Sequence, residues 1–493
     1  MIADNLPALQ VIVPLLGAVL CALVRRGWLA WFIALVVSWI VPIIAIAMIL
    51  QVLDGGVISY AMGGWAPPIG IEYRVDLLSA FVLLLISMVG AVMLPYANLS
   101  VQSEISEDKR AWFYALYLLC MTGLLGISIT GDAFNAFVFL EVSSLSTYAM
   151  IALGKDRRAL LAAYQYLIMG TIGATFYVIA IGILYTMTGT LNMVDMSSRL
   201  GDVASVRPLF AALAFLTVGI SLKFALFPLH SWLPNAYAYA PTFATAFLAS
   251  TATKAAVYLI LRFFFSVYGV ALVFGIHPIS EMLIVLSLMA MFAASIVAVF
   301  QDNIKRMLAY SSVAQIGYIT LGFGLANVPG LTGGVVHLAN HAVTKGALFL
   351  AVGGIVYRMG AARLDDFKGI GKKMPFTMAG FTIAGLSIIG VPGTAGFISK
   401  WYLAIAALER GWGWLVILLV LSSLISVIYI GRVVEVAYFH EPEGKVLEAT
   451  EMPLSMLIPA WVMILATIYF GIETSWTAGI ASQIATDLLA GIQ

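Results

Sequence analysis

Apolar runs of about 20 residues or more succeed one another along this chain with only short polar links between them. A bilayer-spanning helix needs about 20 apolar residues. The runs at 5–24, 28–53, 76–100, 111–130, 132–153, 159–188, 207–227, 241–273, 278–300, 307–327, 330–358, 374–408, 412–439 and 452–472 therefore predict about fourteen transmembrane helices. The expected fold class is an all-α polytopic membrane protein. The first run has no basic stretch before it and no clear cleavage site, so it reads as a membrane helix and not as a cleaved leader. Two runs are interrupted by proline and glycine. The seventh breaks at 228–240 and continues into a short second half, and the twelfth breaks at VPGTAGF.

Charge in the links tests this division. Alternate links carry Arg25 and Arg26; Lys109 and Arg110; Lys155, Arg157 and Arg158; Lys305 and Arg306; Arg358, Arg363, Lys368, Lys372 and Lys373; and Arg432 and Lys445. The other links hold only Arg74, Arg199, Arg207 and Arg410, so one face collects sixteen basic residues and the other four. Cytoplasmic links collect Lys and Arg. The pattern predicts a multi-pass protein of the cell inner (cytoplasmic) membrane with both termini outside. The chain divides into an N-terminal three-helix segment (1–110), a first five-helix repeat (111–273), a second five-helix repeat (278–439) and a C-terminal helix and tail (452–493). Each repeat has a broken helix near its end. Because five is odd, the second repeat is inserted inverted relative to the first, and inverted repeats place transport sites where they meet near the midplane.

Composition agrees and narrows the partners. The 493 residues are 62% hydrophobic and 10% charged, with a formal net charge of +1; a soluble chain carries roughly 25% charged residues. Lipid is the expected surrounding, and nothing points to nucleic acid. Cys21 and Cys120 are far apart, with no CxxC and no histidine beside them, so neither a metal nor another cofactor site is expected from this chain alone.

Against this background a few titratable residues stand out. Charge at bilayer depth is costly and marks ion or proton pathways. Glu141 lies about nine residues into its helix, roughly 13 Å deep. Lys223 sits just before the first break, where a cation is favoured by the helix dipole; a carboxylate nearby would decide whether it holds a proton, and a static ion pair is the alternative to a place on a proton path. Lys254 lies in ASTATKAAVYLIL and either serves the path or snorkels to the surface. Arg262, eight residues on, reads as structural. His337, His341 and Lys345 repeat at i, i+4 and i+8 on one stripe, each about 6 Å from the next. Histidine titrates near neutral pH and can relay a proton, and no HExxH motif or nearby carboxylate favours a metal instead. Lys400 follows the second break, where freed backbone groups require protein or water. Asp132 reads as a helix cap, Asp302, Lys305 and Arg306 as a solvated turn, His230 as packing or a water path, and His440 as part of a charged loop.

QDNIKRMLAYSSVAQIGY, HLANHAVTKGALF, FPLHSWLPNAYAYAPT and GVPGTAGFISKW resemble the motifs of the antiporter-like proton-translocating membrane subunits. This family includes the large antiporter-like subunits of respiratory complex I, those of membrane-bound hydrogenases and the large subunits of Mrp Na⁺/H⁺ antiporters. The resemblance covers most of the chain, and TGDAFNAFVFLEVSSLSTYAMIALG is most similar to the D subunit of the Mrp complex. It implies a proton path through Glu141, Lys223, Lys254, His337 with His341, and Lys400. It also implies partnership with other membrane subunits of a hetero-oligomeric complex, with protons and Na⁺ as the ions moved and no enzymatic site on the chain itself. A redox-driven host, complex I-like or hydrogenase-like, is the alternative.

Overall fold

The computed structural model describes residues 3–203, 207–275, 278–360 and 362–491, and they are almost wholly helical. The helices are α1 (Leu6–Val24), α2 (Gly27–Gly55), α3 (Leu77–Glu104), α4 (Glu107–Ile129), α5 (Ala133–Ala152), α6 (Arg157–Thr188), α7 (Met193–Val203), α8 (Arg207–Phe224), α9 (Leu233–Tyr239) and α10 (Thr242–Leu261). They continue with α11 (Ile279–Met289), α12 (Ser295–Val299), α13 (Ile304–Leu325), α14 (Val328–Met359), α15 (Ile370–Lys373), α16 (Pro375–Ile389), α17 (Ala395–Glu409), α18 (Gly413–Phe439), α19 (Leu454–Ile472) and α20 (Ser475–Ala490). A small antiparallel hairpin, β1 (Ile58–Ala61) with β2 (Glu72–Val75), lies between α2 and α3 and pairs Tyr60 with Tyr73.

Every expected apolar run is occupied by helix. Among the described residues twelve helices are long and apolar enough to cross a bilayer. The runs outside that set are α13, which carries a polar face, and the α16–α17 pair, each half of which is short. The breaks fall where proline and glycine put them. α8 stops at Phe224, and α9 resumes at Leu233 after a turn in which Ala225 takes a left-handed backbone (φ 59°). α16 ends on Gly390 (φ 90°), and α17 starts at Ala395. Three departures concern winding: α10 passes into a π-helical stretch at Arg262–Val267, a second π stretch lies at Ala271–Gly275, and a π turn at Ala290–Ala294 joins α11 to α12. Another concerns the chain end. The segment read as a tail folds as α20 and packs on α14.

Contacts between links agree with the alternation. On the basic face, Lys155 Nζ donates to Ser103 O (2.6 Å), Thr242 N to Glu104 (3.0 Å), Arg358 to Glu451 O (2.6 Å) and Lys372 to Glu441 (2.6 Å). On the opposite face, Asn192 donates to Glu72 (2.7 Å) and Asn327 to Glu409 (3.2 Å). The centre of the bundle is α14, whose apolar window is completely buried and which packs against α3, α10, α13, α16, α17, α19 and α20.

Candidate functional site

The site follows from which helices surround α14. At one end, α5 and α8 bring Glu141 and Lys223 together: Nζ lies 3.2 Å from Glu141 Oε1 and donates to Ser144 Oγ at 2.9 Å. The lysine side chain is 5% exposed and the glutamate 24%, so the carboxylate reaches the flank of the bundle. Lys223 is the penultimate residue of α8, where the helix dipole is negative. Trp232 Nε1 takes the neighbouring Leu222 carbonyl (2.9 Å) and so ties the two sides of the break together.

Beside this pair lies a cavity with about 30 Å³ of room for the centres of water molecules, lined by Ser143, Ser144, Thr147, Lys223, Ala252 and Ala256. One water needs ~10–15 Å³ on that measure, so the cavity suffices for about two. Its far wall is α10, the helix of Lys254. Lys254 is 1% exposed; Nζ donates to Ala249 O and lies 3.4 Å from Thr253 Oγ1. At 100° per residue, Ala249 and Thr253 fall between the direction of Lys254 and that of Ala252 and Ala256. The amine thus curls around α10 toward the cavity side.

α10 and α14 run antiparallel: Thr242 packs on Gly353, and Ser250 packs on Gly346. One further turn sets Lys254 level with His341. Lys345 donates to Leu308 O (2.8 Å) and to Ser311 Oγ of α13. The His341 ring is 2% exposed, and neither of its nitrogens has a hydrogen-bond partner. It stacks parallel to His337, with centroids 6.2 Å apart. His337 is bonded on both nitrogens, Nδ1 to Ser399 Oγ (2.7 Å) and Nε2 to Gln315 Oε1 (3.0 Å). Ser399 Oγ also reaches Gly396 O (3.1 Å). With the hydroxyl hydrogen turned to Gly396, Nδ1 can carry its own proton; turned to His337, it serves a neutral ring.

Lys400, next to Ser399, closes the series. Its three donors reach Ile388 O (3.0 Å), Ile389 O (2.9 Å) and Ser423 Oγ (2.9 Å), and Nζ lies 4.5 Å above the Tyr318 ring. Ile388 and Ile389 end α16, so their carbonyls lack helical partners. Gly396 is required here, because a Cβ at that position would sit 1.8 Å from Ser387 O.

The seven sequence-derived residues fall in two contiguous groups within the bundle, with the Glu141 carboxylate at its flank. Glu141 and Lys223 form one, and Lys345, His341, His337 and Lys400 form the other, with Lys254 and α10 between them. Asp132 caps α5, accepting from Asn135 N (2.7 Å). The solvated-turn reading of Lys305 is corrected: it is 5% exposed and donates to Ala240 O (2.7 Å), because the loop after α9 folds over it. Gln315, Tyr318, Ser399 and Ser423 carry no charge and gave no signal in the sequence; only their partners make them notable. Among the described residues no group of three or more His, Cys, Asp or Glu side chains is placed to hold a metal.

Residues 130–426 match the family described as NADH:quinone oxidoreductase/Mrp antiporter, transmembrane. The chain belongs to this family. It is 41% identical over 486 residues to the NADH-quinone oxidoreductase N subunit of Desulforudis audaxviator, covering 95% of this chain and 96% of that one. It is 27% identical over 489 residues to the Na(+)/H(+) antiporter D subunit of Alkalihalophilus pseudofirmus, covering 99% and 97%. Two solved structures share the whole family fold. A chain of the archaeal membrane-bound sulfane sulfur reductase superposes with TM-score 0.90 at 29% identity, covering 99% of this chain and 100% of that one. A chain of the Mrp complex of Dietzia superposes with TM-score 0.89 at 26% identity, covering 100% and 98%. The motif likeness to the Mrp D subunit is thus accompanied by a higher identity to an N subunit of the oxidoreductase, and the identities do not single out the Mrp type. The chain is an antiporter-like membrane subunit of the Mrp or complex I-like kind.

Proposed function

We propose that this subunit conducts protons across the membrane along Glu141, Lys223, Lys254, Lys345, His341, His337 and Lys400, as one member of a multisubunit ion-translocating complex. The observation that carries the reading is the partner chemistry of the lysines. Of the four lysines on this line, Lys223 has a carboxylate within ion-pair distance, whereas the amines of Lys254, Lys345 and Lys400 meet neutral groups: carbonyls, hydroxyls and, for Lys400, the Tyr318 ring. A static ionic scaffold would pair each buried charge, since an unpaired one costs several kcal/mol. Groups that donate to neutral acceptors suit passing charge, and an imidazole with an adjustable hydroxyl partner, as His337 has in Ser399, suits relaying it. The two broken helices belong to repeats that we read as mutually inverted, and the second break presents the Ile388 and Ile389 carbonyls to Lys400.

The antiporter host, exchanging Na⁺ for protons, is supported by the full-length likeness to the antiporter D subunits. The 41% identity to an oxidoreductase N subunit favours a second reading, a redox-driven host. Glu141, partly exposed at bilayer depth, fits against a neighbouring subunit better than against lipid. The basic face is read as cytoplasmic, with both termini outside.

Two measurements test this. The complex is purified with its partners and proton movement in vesicles is driven first by a Na⁺ gradient, then by electron donor and quinone; the driver that works names the host, and no response to either removes the translocation reading. For orientation, Lys372→Cys is expected to react with an impermeant thiol reagent from the cytoplasm only.

A further inference from the structure

α10 carries more than Lys254. Tyr258 and Arg262 follow at i+4 and i+8 on the same stripe, leading toward the face away from the basic links. The Tyr258 hydroxyl lies 2.9 Å from Ser79 Oγ and accepts from Arg262 Nε at 3.3 Å. Arg262 grips Asp76 with both ends of its fork, Nη1 at 2.6 Å and Nη2 at 2.7 Å, and Nη2 also reaches Ser79 Oγ at 3.1 Å. Asp76 in turn lines a cavity with about 190 Å³ of room for water centres, together with Ser266, Gln483 and Asp487. The winding of α10 changes from α to π at Arg262, and such changes inside helices recur at functional sites. Hydrogen-bonded side chains therefore run from a roomy cavity, mainly apolar but carrying the Asp76 and Asp487 carboxyls, to within one helical turn, about 6 Å, of Lys254.

We propose that Tyr258, Ser79 and the Asp76–Arg262 pair form a gate through which Lys254 exchanges protons with that cavity. The gate rests on the conduction reading above. The structure holds it shut at both ends: the Lys254 amine is turned back to Ala249, and Asp76 is held by Arg262. Arginine does not give up its proton, so Arg262 acts as the latch and carries nothing. When the pair parts and the lysine swings over, the ammonium passes a proton through a bridging water to the Tyr258 oxygen. The Tyr258 hydroxyl proton moves to Ser79, and the Ser79 proton to the freed Asp76 carboxylate. Loss of that proton to cavity water restores the carboxylate.

The test uses sealed vesicles holding the intact complex under its own driving force. Tyr258→Phe keeps the ring and loses the hydroxyl; translocation is expected to fall roughly a hundredfold, the low end of what a positioned proton-transfer group contributes. Asp76→Asn keeps an oxygen to cap α3 but can no longer take the proton, so translocation is expected to fall as for Tyr258→Phe; Arg262→Gln releases the latch and leaves the Asp76 acceptor, so passive proton leak in undriven vesicles is expected to rise. Should Tyr258→Phe lower assembly, Ser79→Ala removes a relay hydroxyl with less disturbance and is read the same way. Gln483→Cys is expected to react with an impermeant thiol reagent only from the face away from the basic links. Parent-like rate and leak in assembled gate variants overturn the gate, as does labelling of Gln483→Cys from the basic face. Lys254→Met separates the two claims. If it is inactive while the gate variants match the parent, only the gate falls; if it too is fully active, the conduction path falls with it.

Discussion

Removing both members of the Glu141–Lys223 pair separates a structural ion pair from a conducting one. At 3.2 Å and an effective dielectric of ~20, two unit charges attract by about 5 kcal/mol. Glu141 is 24% exposed, and screening brings a realistic coupling to roughly 3 kcal/mol. Glu141→Gln leaves the Lys223 amine with Ser144 alone, and Lys223→Met leaves a carboxylate without its cation. Each single change is expected to destabilise by about 3–5 kcal/mol, the range for breaking a buried pair. In the double variant neither charge remains, and stability is expected to recover by about the coupling energy. Heat-resistant assembly of the purified complex reads the stability term, and dye-monitored proton movement in vesicles reads transport. All three variants are expected to be inactive, with the double variant stable but silent. A double variant that regains transport along with stability refutes the role of the pair in conduction and makes it a strut.

Lys223→Arg retains the charge but cannot release it, so assembly is expected to match the parent and transport to vanish; an active arginine variant would show that a fixed charge suffices. Gly396→Ala forces a methyl against Ser387 O, at 1.8 Å before relaxation. Overpacking costs about 1–3 kcal/mol, and prising α17 from α16 stretches the Lys400 bonds to Ile388 and Ile389, so transport is expected to fall more than assembly, as co-purification against vesicle assays will read. Lys400→Ala and the double variant His337→Ala/His341→Ala are expected to stop proton movement while Lys400→Glu retains part of it, since a carboxylate also titrates; parent-like transport in all three would place the path elsewhere.

The long elements were legible because a bilayer imposes one requirement on every span, and runs such as 28–53 and 412–439 satisfy it conspicuously. The breaks were legible from Pro228, Pro234 and Pro392. Glu141, Lys223 and Lys400 announced themselves as charges where charge is costly. What the sequence withheld depends on partners distant along the chain. α20 alternates small, polar and apolar residues too mildly to declare a helix, and its order comes from packing on α14. Lys305 looks like any turn lysine until Ala240 covers it. Ser399 and Gln315 are ordinary helix residues until they meet His337 from two other helices.

The enclosure of α14 bears on how the protein is made. A lysine at the centre of a spanning segment opposes insertion by about 2.5–3.5 kcal/mol, and α14 carries Lys345 near its middle, with two histidines one and two turns away. Its packing partners emerge from synthesis both before it (α3, α10, α13) and after it (α16, α17, α19, α20). The nascent segment can give its amine the Leu308 carbonyl and Ser311 hydroxyl of α13 as soon as it enters the bilayer, but it stays open to lipid on its other flank until translation of the last third is complete. Biogenesis should therefore pass through an interval in which a helix with a lysine and two histidines in its interior is only half sheltered, and truncation after α14 should leave a fragment prone to membrane quality control.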